Sequence, residues 1–129
     1  MAEGFDCVKG EDIPVPHGPY SPAVVWGEMV FVSGLLAIKP DSNVVLGDIR
    51  EETMIILRNL KSLLEAAGSR LENVLSVTVY LQDISDLTAF NEVYEEYFKP
   101  PYPSRSAVGV SLLGGFQVEL SAVAYRDTR

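Results

Sequence analysis

Two periodicities divide the chain. Val24-Val25-Trp26 and Met29-Val30-Phe31-Val32 flank Gly27-Glu28, a two-residue connection with glycine first, which predicts a hairpin closed by a type II′ turn. Phe5 to Val8 reads as a short edge strand, with residues 10–16 as loop and the strand after Glu28 running into Ser33-Gly34. The missing side chain at Gly34 lets another backbone or a ligand come close. Residues 38–47, with Pro40, Asp41, Ser42, Asn43 and Gly47, form an exposed loop. Asp48 then caps a helix, with Glu51 three residues on. Ile49, Thr53, Ile56, Leu57, Leu60, Leu63, Leu64 and Ala67 make one apolar stripe, Arg50, Glu51, Glu52, Arg58, Lys61 and Glu65 take the other face, and Gly68 ends the helix. Such a helix is about 30 Å long and its single stripe calls for a sheet beneath it.

Val74 to Leu81 alternates Val77, Val79 and Leu81 against Ser76, Thr78 and Tyr80. A second helix starts near Ser85 or Asp86, keeps Leu87, Phe90, Val93, Tyr94 and Tyr97 on its apolar side and ends at Lys99 before Pro100, with Asn91 and Glu92 on its exposed side. Pro100, Pro101 and Pro103 then hold the chain extended and deliver Arg105 to the start of a strand in which Val108, Val110 and Leu112 alternate with small residues. A turn through Leu113-Gly114-Gly115-Phe116 leads to a last strand, with Val118, Leu120, Ala122 and Ala124 on one face and Glu119 and Ser121 on the other. If the strands at 106–112 and 117–124 pair as a hairpin, Glu119 comes near Ala107 and Arg105. The element order predicts an α+β layer pair with both helices over one face of a mixed sheet. A second sheet face carrying Phe31, Val32 and the small residues of 107–111 needs a cover, and self-association is the expected one.

Composition narrows the function. With 129 residues, 47% of them hydrophobic, residues 1–129 read as a single domain able to bury roughly two thirds of its unfolded surface. No run approaches the eighteen or so apolar residues of a membrane span, and Met1-Ala2-Glu3-Gly4-Phe5-Asp6 lacks the order of a signal peptide, so no membrane partner and a cytoplasmic location are expected. Cys7 and His17 are each the only residue of their kind, which leaves neither an internal disulfide nor an ordinary zinc set. A net charge of −8 opposes a nucleic-acid partner, because phosphate binding draws on clustered Lys and Arg. A small anion needs only a local cation. Arg105 is that candidate, although an arginine at a strand start equally serves as a surface ion pair or edge cover. Tyr20, in the loop pinned by Gly18, Pro19 and Pro22, either packs at one end and hydrogen-bonds at the other or faces a ligand.

Gly18-Pro19-Tyr20-Ser21, Val32-Ser33-Gly34, Leu64-Glu65-Ala66-Ala67-Gly68, Asn91-Glu92-Val93-Tyr94 with Tyr97-Phe98, Pro103-Ser104-Arg105-Ser106 and Val118-Glu119-Leu120 stand in the order and spacing of one family. The chain resembles the Rid family, the reactive intermediate deaminases also called the YjgF/YER057c family, over nearly its whole length. The resemblance implies a chorismate-mutase-like α+β fold that trimerises through its sheets, with clefts between neighbouring subunits. It also implies hydrolysis of 2-imino acids such as 2-iminobutanoate and 2-iminopropanoate to 2-keto acids and ammonia, with no metal and no cofactor. By the same resemblance Arg105 clamps the substrate carboxylate, Glu119 positions or polarises water, Gly34 and Ala107 supply backbone groups, and Tyr20, Ser33 and Asn91 line the cleft. Three positions depart from the common pattern: Leu35 and Pro22 replace glutamines and Ala107 replaces a cysteine.

A planar guanidinium grips a carboxylate through two parallel charge-assisted hydrogen bonds. A carboxylate within reach of the attacking water suits the proton transfers of imine hydrolysis. Uncatalysed imine hydrolysis is already fast, so positioning suffices and no nucleophilic triad is needed. The rival readings are a non-catalytic trimer that binds or senses small carboxylates such as 2-keto acids, and an endoribonuclease or translation inhibitor, against which the acidic charge weighs.

Overall fold

The computed structural model describes residues 4–127. Six strands form one mixed sheet: β1 (Asp6–Cys7), β2 (Ala23–Trp26), β3 (Met29–Leu35), β4 (Val74–Leu81), β5 (Ser104–Gly109) and β6 (Val118–Tyr125), in the spatial order β1-β2-β3-β6-β4-β5. Helices α1 (Ile49–Ala66) and α2 (Leu87–Tyr97) pack together on one face. The class is α+β. No helix among the described residues is long and apolar enough to cross a membrane.

Local chemistry sets the element ends. Trp26 pairs with Met29 across Gly27, which takes φ +61 while Glu28 stays at negative φ, so the turn is the type II′ turn that the glycine predicts. Asp48 accepts the Glu51 N–H at 2.8 Å to cap α1. At the other end Gly68 takes φ +81, its N–H donates to Glu65 and the Ser69 N–H donates to Leu64, the paired bonds of a Schellman motif. The stripe of α1 lies in the core as predicted, with Ile56, Leu57, Leu60, Leu63 and Leu64 fully buried against Val30, Val77, Val79, Val118 and Leu120. Arg50 pairs with Glu92 and ties the start of α1 to α2.

Five expectations are corrected. The strands at 104–109 and 118–125 do not form a hairpin: β6 runs antiparallel between β3 and β4, and β5 lies parallel to β4 at the sheet edge. Beyond Gly109 the chain leaves the sheet for a 3₁₀ turn at Leu113–Gly115 and crosses to the other side of β4. The alternation in β5 also has the opposite phase, since Ala107 stands beside buried Val79 and faces the helices while Val108 is 41% exposed. Val32 is buried under the helices, so the open face carries Phe31 without it. Helix α2 stops at Tyr97, two residues short of Lys99. Glu52, assigned by its charge to the solvent face of α1, is wholly buried. Its position three residues from Ile49 and four from Ile56 places it inside the apolar stripe, and there its Oε1 accepts the Gln117 N–H at 2.8 Å. That bond fastens the entry of β6 to the first turn of α1.

Candidate active site

Between Val32 and Leu35, β3 carries two residues, Ser33 and Gly34, opposite the single Ser121 of β6. This bulge re-aims the strand and puts Gly34 directly under Glu119. A Cβ placed on Gly34 would run into the Glu119 carboxylate, so the absent side chain provides the space that the carboxylate fills. The close approach expected at Gly34 is therefore made by a side chain of the same chain. Burial pushes the Glu119 carboxyl above its ordinary value of 4.5, because the charged form is desolvated.

The bulge also holds the loop before β2. Ser33 donates its N–H to the Pro22 carbonyl at 3.0 Å and its hydroxyl to the Ser21 carbonyl at 2.6 Å. Its hydroxyl is thus a fastener for the loop that carries Tyr20, a ring 52% exposed. Tyr20, Ser33 and Gly34 border one hollow of about 40 Å³, whose other walls include His17, Pro22 and Leu35. Glu119 does not line this hollow but lies against Gly34, and with Tyr20, Ser33 and Gly34 it makes up the first half of the candidate site.

The second half lies across the sheet. Arg105 stands beside Val77 of β4, whose side chain is 1% exposed beneath the helices, and so points to the helix face. There its Nη1 donates to Asn91 Oδ1 of α2 at 2.8 Å. Its guanidinium carbon lies 4.9 Å from the centre of the Tyr94 ring and 5.9 Å from that of Phe90, within range of cation–π attraction. Asn91, Tyr94, Glu95, Tyr102, Pro103 and Arg105 line a cavity of about 280 Å³. Asn91, placed on the exposed side of α2 by periodicity, spends its side-chain carbonyl on orienting the arginine. Ala107 follows two residues along the same face, partly buried beside Val79.

The two halves do not meet within one chain. Glu119 is paired with Tyr80 and Arg105 with Val77, three residues apart along β4 and therefore on opposite faces, separated by about 10 Å along the strand direction alone. The convergence of Arg105 and Glu119 that a hairpin would give does not occur. Two further residues belong to the setting and escaped the sequence reading. Tyr94 was legible as core but not as the bed of the arginine, for which its spacing of four from Phe90 and from Phe98 was the available signal. Glu52 acts two residues from Glu119 through Gln117, and its place within the apolar stripe was its signal.

Comparison with known proteins places this arrangement. The profile of the family described as Endoribonuclease L-PSP matches residues 10–126. A RutC family protein of Pyrococcus abyssi is 44% identical over 119 residues, covering 91% of this chain and 94% of its own. The human 2-iminobutanoate/2-iminopropanoate deaminase is 40% identical over 113 residues, covering 86% of this chain and 82% of its own. Among solved structures, RidA from an Antarctic Psychrobacter superposes with a TM-score of 0.89 at 34% identity, over 93% of this chain and 98% of that one. E. coli TdcF with bound serine superposes with a TM-score of 0.87 at 31% identity, over 95% and 99%. Glycine under the partly buried carboxylate, arginine braced on the second helix and the match along almost the entire chain lead to one assignment: this chain belongs to the Endoribonuclease L-PSP family, the Rid or YjgF/YER057c family.

Proposed function

We propose that this chain is a 2-imino acid deaminase that converts 2-iminobutanoate, 2-iminopropanoate and similar imines to 2-keto acids and ammonia, and that it works as a homotrimer with each site shared by two subunits. The observation that carries this reading is the pair of complementary half-sites on opposite faces of the sheet, one with an arginine braced by Asn91 and the other with a desolvated carboxylate. Each lacks what the other supplies. A cyclic assembly of like chains joins the Arg105 half of one copy to the Glu119 half of the next through repeated, identical contacts. The open sheet face of Phe31, Tyr80 and Val123 gives such an assembly an apolar surface to bury.

In this reading the substrate carboxylate docks on Arg105, whose remaining N–H groups are free of Asn91 and face the cavity. The ionised Glu119 accepts a proton from water as its oxygen bonds to the imine carbon, and the C=N π pair becomes the nitrogen lone pair of a carbinolamine. Return of that proton to nitrogen completes the neutral carbinolamine. Glu119 then takes the hydroxyl proton and delivers it to nitrogen, the O–H pair becomes the C=O bond as the C–N bond breaks, ammonia leaves with the C–N pair, and the carboxylate is regenerated. Backbone groups at Gly34 and Ala107 hold the intermediate. The relative of the same length class named as a deaminase, 40% identical, supports the substrate class.

A second reading, a non-catalytic binder of small carboxylates, is favoured by one observation: the Arg105 cavity is formed and its arginine braced without Glu119. The endoribonuclease role in the family description is opposed by the net charge of −8. The deciding experiment generates imine in place with an amino-acid oxidase or a threonine dehydratase and follows ammonia release against semicarbazide trapping. Acceleration by this protein is the expected result. Carboxylate binding without acceleration would favour the binder.

A further inference from the structure

We propose that Tyr94 is a positioning residue for Arg105, its ring fixing the orientation in which the guanidinium meets a ligand carboxylate. The inference rests on the reading of Arg105 as the carboxylate clamp. An exposed arginine carries several rotatable bonds, and ordering it at the moment of binding costs rotamer entropy. Arg105 has two constraints that lower that cost. Asn91 takes one N–H at 2.8 Å, which fixes an edge of the guanidinium, and the Tyr94 ring 4.9 Å from its central carbon supports it from below. One N–H is used and four remain, so a two-pronged grip on a carboxylate is still available.

The support is itself immobile. Tyr94 is 4% exposed, stacks on Phe98 at 4.5 Å with 24° between planes and leans on Phe90 at 5.5 Å. These rings, four residues apart, form a buried row on α2 whose middle member, Tyr94, lines the Arg105 cavity. A shift of the ring would disturb the core, so the platform keeps its place with the cavity empty or filled. The hydroxyl is a separate matter. It is buried and has no hydrogen-bond partner among the described residues, so none of them holds the ring in place through it. Burial pushes the phenol above its ordinary value, with Arg105 pulling the other way, and the ring stays neutral. The supporting surface is therefore the ring alone, which phenylalanine reproduces.

An interaction present in both the bound substrate and the transition state changes affinity more than turnover. The test measures 2-oxobutanoate binding by calorimetry and imine hydrolysis by ammonia release for wild type, Tyr94→Phe, Tyr94→Leu and Arg105→Ala. Tyr94→Phe should stay within about twofold of wild type in both, with no loss of thermal stability. Tyr94→Leu should weaken binding and raise KM by about tenfold while kcat changes by less than about twofold. A measurement on the unaltered protein guards against misfolding of the leucine variant: the Arg105 Hε resonance should show a ring-current shift. Wild-type affinity in Tyr94→Leu, equal weakening in Tyr94→Phe, loss of kcat at constant KM, or an unshifted Arg105 Hε would each overturn the proposal. Should Arg105→Ala bind as well as wild type, or wild type not bind, the clamp reading itself falls and takes this inference with it. Binding that Arg105→Ala loses and Tyr94→Leu keeps overturns the role of Tyr94 alone.

Discussion

The Glu119 carboxylate fills the volume that a side chain on Gly34 would occupy. A strand bulge, a glycine and an acidic residue thereby form one unit, and the smallest change to it has a defined consequence.

Gly34→Ala should leave the fold intact, because Gly34 has no positive φ and alanine adopts its backbone conformation without strain. The added methyl would displace the Glu119 carboxylate, so kcat should fall by at least about tenfold while 2-oxobutanoate affinity at Arg105 is little changed. Parallel kinetics and calorimetry check the split. Wild-type kcat in Gly34→Ala would show that the carboxylate needs no defined position.

Burial raises the Glu119 carboxyl above 4.5, and the proposed hydrolysis uses its ionised form. Activity must therefore fall as the pH drops through a midpoint above the ordinary carboxylate range. The pH profile of kcat/KM should show that acid limb, and Glu119→Gln should lose it together with at least about a hundredfold of rate. An unchanged limb in the glutamine variant would assign it to another group.

Much of this was written in the pattern of side chains. The stripe of α1, the Gly27 turn, the Gly68 stop and the alternation of β4 are local signals, each decided within a few residues, and each appears in the fold. Strand order is not local. Neither the alternation at 104–112 nor that at 118–125 records which neighbour a strand chooses, so the parallel seat of β5 beside β4 was out of reach, and with it the separation of Arg105 from Glu119. Glu52 failed for another reason: charge outweighed position in its assignment, whereas the fold gave it a backbone N–H from Gln117. The candidate site residues came from the resemblance, and their division into two halves required the sheet.

The buried Glu52 carboxyl is raised by desolvation, with the Gln117 N–H opposing. A group whose folded value is raised binds more protons in the native state, so its contribution is full at low pH and is lost as the pH rises through the folded value. Glu52→Gln keeps the oxygen that accepts from Gln117 and removes the charge. It should be more stable than wild type at neutral pH, by on the order of 1 kcal/mol, with the difference vanishing below the ordinary carboxylate range. Denaturant unfolding at a series of pH values measures this, and a variant less stable than wild type at neutral pH would mean that the ionised form is favoured there.

Arg105→Lys retains charge but loses the planar fork and its fit over Tyr94. Affinity for 2-oxobutanoate and kcat/KM should both drop by at least about tenfold, on the order of 1.4 kcal/mol, and Arg105→Ala should bind no 2-keto acid. Titration calorimetry reads both. Equal binding by lysine would reduce Arg105 to a diffuse positive charge.

Because Arg105 and Glu119 face opposite sides of the sheet, the proposed deaminase site needs them from different copies of the chain. Arg105→Ala and Glu119→Gln, each inactive alone, can be unfolded together in equal amounts and refolded as mixed oligomers. Random assembly with one Arg105 half and one Glu119 half at every interface restores about a quarter of the sites. Recovery of about a quarter of wild-type deaminase activity is the expected result, and no recovery from oligomers shown to be mixed would contradict a site shared between subunits.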